Sequence, residues 1–84
     1  MTDKEIIKQL RVMAKDDKTP SELLRYLVLE LKIEQQLELM LLFSKAFNVT
    51  LGEVTAITAW WHDDSAEMND KDINAYLSNL VRVN

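Results

Sequence analysis

The sequence predicts an all-α protein, a compact bundle of five helices around a central apolar helix, folded as one domain over residues 1–84. Three observations carry this. Apolar residues recur at three- and four-residue spacing in segment after segment, and no run alternates with a period of two for long enough to be a strand. Helix-start signatures punctuate the chain at four places. The stretch 34–47 is apolar around most of its circumference, with a narrow polar stripe of Glu34, Glu38 and Lys45, and a soluble helix of that kind has to be wrapped by neighbours.

The first helix is expected over about 3–15. Thr2-Asp3-Lys4-Glu5 has the form of a capping box, with Met1 and Ile6 placed as a hydrophobic staple. Ile6, Leu10 and Met13 follow at helical spacing, with Ile7 and Ala14 beside them, and Asp16-Asp17-Lys18 makes the turn. Thr19-Pro20-Ser21-Glu22 starts the second helix, about 20–32, with Pro at a position where its missing N–H costs nothing. Its stripe is Leu23, Leu24, Leu27, Val28 and Leu31. Continued without a break, that stripe would run into Glu34, Gln35 and Glu38, whereas Ile33, Leu37 and Leu41 start a new one in another phase. A break near Lys32–Ile33 follows, against the competing reading of one long helix from Pro20 to Phe47.

The central helix, about 34–47, ends at Asn48, a residue that tolerates a left-handed backbone. Thr50-Leu51-Gly52-Glu53 is a further capping box, stapled by Val49 and Val54. It opens a helix over about 51–62 whose buried face would be Leu51, Val54, Ile57 and Trp61. Trp60 lies about 100° away from Trp61 on that helix and is either an exposed contact residue or a second core anchor. Asn69-Asp70-Lys71-Asp72 caps the last helix, about 70–82, with Met68 and Ile73 as staple and Ile73, Tyr76, Leu77 and Leu80 facing the core.

Composition narrows the functional classes. There is no cysteine, hence no disulfide framework and no thiolate chemistry, and a reducing cytoplasm is the natural setting. The charged start is not a signal peptide, and the apolar run 39–43 is far too short to span a membrane. Residues 1–32 hold seven Lys/Arg and six Asp/Glu, a balance of +1. Residues 33–84 hold three and eight, a balance of −5. Glu53, Asp63, Asp64, Glu67, Asp70 and Asp72 face only Lys71. Such a patch repels nucleic acid and anionic lipid and attracts a basic partner.

Residues that could do chemistry are few. His62 is the only histidine and no cysteine joins it. A zinc site takes three or four ligands, usually His or Cys, so the cluster His62, Asp63 and Asp64 reads as a solvated helix end. The run 70–74 matches the start of a calcium loop, but Ala75 stands where glycine is needed and Val81 where the bidentate glutamate belongs. One glycine cannot build a phosphate loop. Ser21, Ser44, Ser65 and Ser78 sit in no nucleophile motif, so no enzyme, cofactor or metal is expected. A helix-turn-helix is improbable, because its recognition helix would carry no Lys or Arg. An acyl-carrier-like protein modified at Ser65 is a rival, although Asp64-Ser65-Ala66 lies late and lacks the leucine of the carrier motif.

A binding module remains. Its candidate surface is Trp60, His62, Asp63, Asp64, Glu67, Asp70 and Asp72, because tryptophan concentrates in interface hot spots and carboxylates speed capture of a basic partner. The plainer reading of these carboxylates is a solvated surface, with Asp70 and Asp72 complementing a helix N-terminus. The run Phe43…Ala46-Phe47-Asn48-Val49-Thr50-Leu51-Gly52-Glu53-Val54, then Ile57…Trp60-Trp61, then Asn69-Asp70-Lys71-Asp72-Ile73, resembles small all-helical immunity proteins of bacterial contact-dependent growth inhibition systems. The resemblance covers roughly the last half of the chain and contains no defined catalytic motif. It implies a cytoplasmic protein that binds and neutralises one toxin domain, often a basic nuclease. Self-association into a homo-oligomer is a third possibility, since a small core is easily left incomplete.

Overall fold

Residues 2–81 are described by a computed structural model, in which helices and turns make up the whole architecture apart from one isolated bridge. Helix α1 spans Asp3–Lys15. Helix α2 spans Pro20–Arg25 and widens into a π turn over Tyr26–Glu30. Helix α3 spans Gln36–Phe47, a 3-10 helix spans Gly52–Ala59, and α4 spans Asp70–Leu77. The principal contacts close a ring: α1 on α3, α3 on the 3-10 helix, that helix on α4, α4 on α2, and α2 back on α1. The enclosed core gives a radius of gyration of 11.4 Å. Among the described residues, no helix is long and apolar enough to cross a membrane.

The helix starts form as local chemistry requires. Thr2, Thr19 and Asn69 each accept the N–H three residues on, and Glu5, Glu22 and Asp72 return the bond to the cap N–H. At Thr50 the box is half made: its hydroxyl accepts from the Glu53 N–H at 3.2 Å, and a 3-10 helix follows. The stops are also local. Asp17, Lys32 and Asn48 take positive φ of 62°, 60° and 54°, closing α1, the π turn and α3. After α1 the Lys18 N–H reaches Met13 O and the Asp17 N–H reaches Ala14 O, the paired bonds of a Schellman stop. The break at Lys32 therefore separates two helices, and the single-rod alternative is excluded. The last helix, expected over about 70–82, ends at Leu77 and gives way to a turn over 78–80, in which the Leu80 and Val81 N–H groups both return to Leu77 O. The expected Met1 staple lies outside the described residues.

Helix α3 supplies Leu39, Met40, Leu42, Phe43, Ala46 and Phe47 to the core, with the Phe43 and Phe47 rings edge-on at 5.5 Å. The Arg11 guanidinium caps its C-terminal end, Nε donating to Ala46 O at 2.7 Å. The helix is not jacketed all round. Leu37 is 60% exposed and Leu41 39% exposed, so the Ile33–Leu37–Leu41 stripe leaves the core after Ile33. With the elements closed in a ring, each must keep one outward side, and α3 spends apolar residues on its own.

The segment before α4 departs most from expectation. Gly52–Ala59 is a 3-10 helix with three residues per turn, so residues at i and i+3 eclipse. Val54, Ile57 and Trp60 thereby stack in one column, all buried. The expected face of Leu51, Val54, Ile57 and Trp61 assumed 100° per residue. At about 120° Trp60 replaces Trp61 in that column and Trp61 is left half-buried, while Leu51, in register with Val54 but one residue ahead of the helix, is exposed. Two features stabilise a stretch that is long for this helix type. The Thr55 and Thr58 hydroxyls donate to Gly52 O and Thr55 O, and the Gln36 amide on α3 donates to Thr58 O and Trp60 O, both at 3.0 Å.

Candidate functional site: an acidic groove beside the last helix

The carboxylates of 53–72 fall into three settings. Asp70 is engaged within the fold. It opens α4, accepts the Trp60 indole N–H at 2.9 Å, and pairs with the Arg25 guanidinium, whose Nε and Nη2 donate to its two oxygens at 3.0 and 3.1 Å. The guanidinium carbon lies 5.8 Å from the Trp60 ring centroid. This constellation joins α2, the end of the 3-10 helix and α4. One turn further along, the Ser21 N–H donates to Asn74 Oδ1 at 2.8 Å and makes a second clasp between α2 and α4. Trp60 is thus removed from the predicted contact surface, whereas Asp70 stays partly exposed but is engaged by the chain's own groups. The indole is fully buried, and Asp70 is neutralised by the chain's own arginine.

The second setting is the loop after Trp60. The Met68 N–H donates to Ala59 O at 2.7 Å, forming a one-residue bridge that pins Trp60 and Met68 side by side and makes 61–67 bulge outward. His62, half-buried, lies with its ring 5.1 Å from the Trp61 ring. Asp63 and Asp64 are exposed, and Asp64 takes a positive φ of 63°. Hydrogen bonds from the Ser65 hydroxyl and then its N–H hold the Asp63 carboxyl below the ordinary aspartate range, so it is charged at neutral pH. Ser65 itself sits in this loop, short of the helix start at Asp70.

The third setting is a groove of about 790 Å³ between the 3-10 helix and α4. Its floor comes from the same three-residue period that buries Trp60. The column Gly52, Thr55, Thr58 and the column Glu53, Ala56, Ala59 are the two outward faces of the 3-10 helix, and small side chains leave the space open. Ala75 lines the opposite wall. Glu53, Glu67 and Asp72 supply three formal negative charges, and no Lys or Arg lines the groove or pairs with these three among the described residues. Tyr76 stands at its edge, 68% exposed, where the expected buried face of the last helix had placed it in the core. A tyrosine with an exposed ring and hydroxyl beside unpaired carboxylates is a surface suited to a cation-bearing chain.

Of the predicted contact residues, Glu67 and Asp72 meet in this groove. Asp63, Asp64 and His62 lie on the loop preceding it. Glu53, a member of the expected acidic patch though not of the contact list, joins the site, and so does Tyr76, which was expected in the core. Two signals for the missed residues were present: the three-residue repeat of Gly-Glu-Val, Thr-Ala-Ile and Thr-Ala-Trp, and the four-residue spacing of Ile73 and Leu77, which already completes a core face without Tyr76. Among the described residues no group of three His, Cys, Asp or Glu side chains is arranged to hold a metal ion. No protein-family model matches the chain, and neither curated proteins nor solved structures return a match.

Proposed function

We propose that this chain is a stoichiometric inhibitor of the immunity type, acting in the cytoplasm, which captures a basic toxin domain and occludes it. The observation that carries the reading is the groove: three carboxylates without a cationic partner among the described residues, an open floor of small residues and an exposed tyrosine at the edge. Asp63 and Asp64 on the neighbouring loop extend the negative surface. An array of this kind raises the encounter rate with a basic surface and orients it, while the tyrosine adds contact area at small entropic cost.

Two of the serines have structural surroundings: Ser44 Oγ donates to Val49 O, and Ser21 is buried at the start of α2. An acyl-carrier role for Ser65 has less support, since that serine does not open a helix.

The test is affinity capture from the native host, with wild type and Glu53→Lys/Glu67→Lys as parallel baits and mass spectrometry of what each retains. Both substitutions spare the capping boxes and the Arg25–Asp70 clasp. The expected result is a partner with a basic domain, retained by wild type and lost by the variant, whose toxicity on expression is relieved by the wild-type chain. The product of the gene immediately upstream is the first candidate. Retention of the same partner by both baits, or capture of an acidic one, removes the groove from the function.

A further inference from the structure

The outward stripe of α3 does not belong to the acidic groove. Leu37 and Leu41 are among the most exposed large aliphatic side chains described, one turn apart on one helix, and they line a depression of about 280 Å³ with Glu38, Lys45 and Asp3. Isolated exposed leucines are ordinary, but two in register beside a cavity form a patch.

The charges around the patch identify what fits it. Taking Leu41 as the reference at 100° per residue, Glu38 lies about 60° to one side and Lys45 about 40° to the same side. Glu38 stands three residues before Leu41 and Lys45 four after. The two are seven residues apart along the helix, roughly 10 Å, too far to pair with each other. Among the described residues neither is in a salt bridge.

A two-fold axis placed across α3 near Leu41, perpendicular to both helices and to the line joining them, reverses position along the helix and keeps lateral side. It therefore sets Glu38 of one copy against Lys45 of the other, and repeats that pair at the far end. Leu41 meets Leu41 at the centre, while Leu37 covers the turn around Ser44 of the opposite chain. The face is complementary to itself in charge and in apolar surface, which is the requirement of an isologous contact.

We infer that the exposed face of α3 is a homodimer interface, formed by antiparallel packing of two copies of this helix. A single-helix contact is small by the standard of stable complexes, so association belongs to the high-concentration, weak class. The contact does not depend on the acidic groove, which is built from the 3-10 helix and α4 and stays open in the dimer.

Sedimentation equilibrium from micromolar to millimolar protein tests it, with circular dichroism confirming that each variant is folded. Wild type is expected to dimerise reversibly. Glu38→Lys or Lys45→Glu each places like charges opposite one another at both ends, and should weaken dimerisation by about tenfold. The double exchange Glu38→Lys/Lys45→Glu restores the complementarity and should return the constant to within about twofold of wild type. Leu41→Ser should weaken it without altering the charges. A wild type that stays monomeric throughout, or a dimer indifferent to Leu41→Ser, overturns the inference. So does a double exchange no better than the singles.

Discussion

At the scale of single residues, the neighbours Trp60 and Trp61 show how one backbone angle assigns opposite fates. Trp60 fills the core and spends its N–H on Asp70, while Trp61 lies half-buried beside His62. Trp60→Phe should destabilise by about 1–3 kcal/mol, combining lost volume with a carboxylate that loses a donor. Trp60→Ala should cost about 3–5 kcal/mol. Trp61→Ala should cost less than about 1.5 kcal/mol, and urea unfolding followed by circular dichroism measures all three. Glu22 provides a second prediction. The Thr19 N–H, then the Thr19 hydroxyl, hold its carboxyl below the ordinary glutamate range. The unfolded chain then binds the proton more readily, so this contribution is complete above the ordinary value and disappears as pH falls through the depressed one. Glu22→Gln keeps the capping geometry but not the titration. In acid its stability should fall less steeply than that of wild type, as a series of urea melts below neutrality will show.

At the scale of elements, the starts and stops were legible because they are local. Three capping boxes and the left-handed Asn48 need only their own neighbours. The break at Lys32 was legible from a phase change between stripes, although Lys32 occupies the left-handed region without being glycine. Replacing it with glycine removes the Cβ strain at some cost in unfolded-chain entropy, and Lys32→Gly should leave stability unchanged or raise it by up to about 1 kcal/mol in thermal unfolding. The 3-10 helix was not legible at 100° per residue. Its cause is partly non-local, because the Gln36 amide on α3 satisfies the carbonyls at its end. Gln36→Ala should cost about 1 kcal/mol and speed exchange of the Trp60 amide, whose bond to Ile57 O closes the last turn. The outward Leu37 and Leu41 were missed for a related reason: apolar circumference announces burial, but only the ring of neighbours decides which side of α3 is left open.

At the scale of the whole molecule, charge is segregated by the ring. Helix α1 presents Lys4, Lys8, Arg11 and Lys15 on its solvent side, and it packs on α3 and α2. The acidic groove is made by the two elements beyond them, the 3-10 helix and α4. The charge balance of 33–84 was readable from the sequence, but the division of its carboxylates between structure and surface was not. That division depends on Arg25, 45 residues away from Asp70, and on a column of threonines and alanines that leaves Glu53, Glu67 and Asp72 around open space. A groove that steers a basic partner acts through screened charges, and its influence contracts to about 10 Å at 0.1 M salt. The most direct measurement is the association rate of the chain with its captured partner over a salt series, for wild type, Glu53→Lys/Glu67→Lys and Asp63→Lys/Asp64→Lys. Capture by the acidic face predicts a wild-type rate that falls steeply with salt, and a groove variant slowed by about tenfold or more with a flattened salt dependence. The loop variant should be affected in the same direction. Equal rates and equal salt slopes for all three proteins would contradict it.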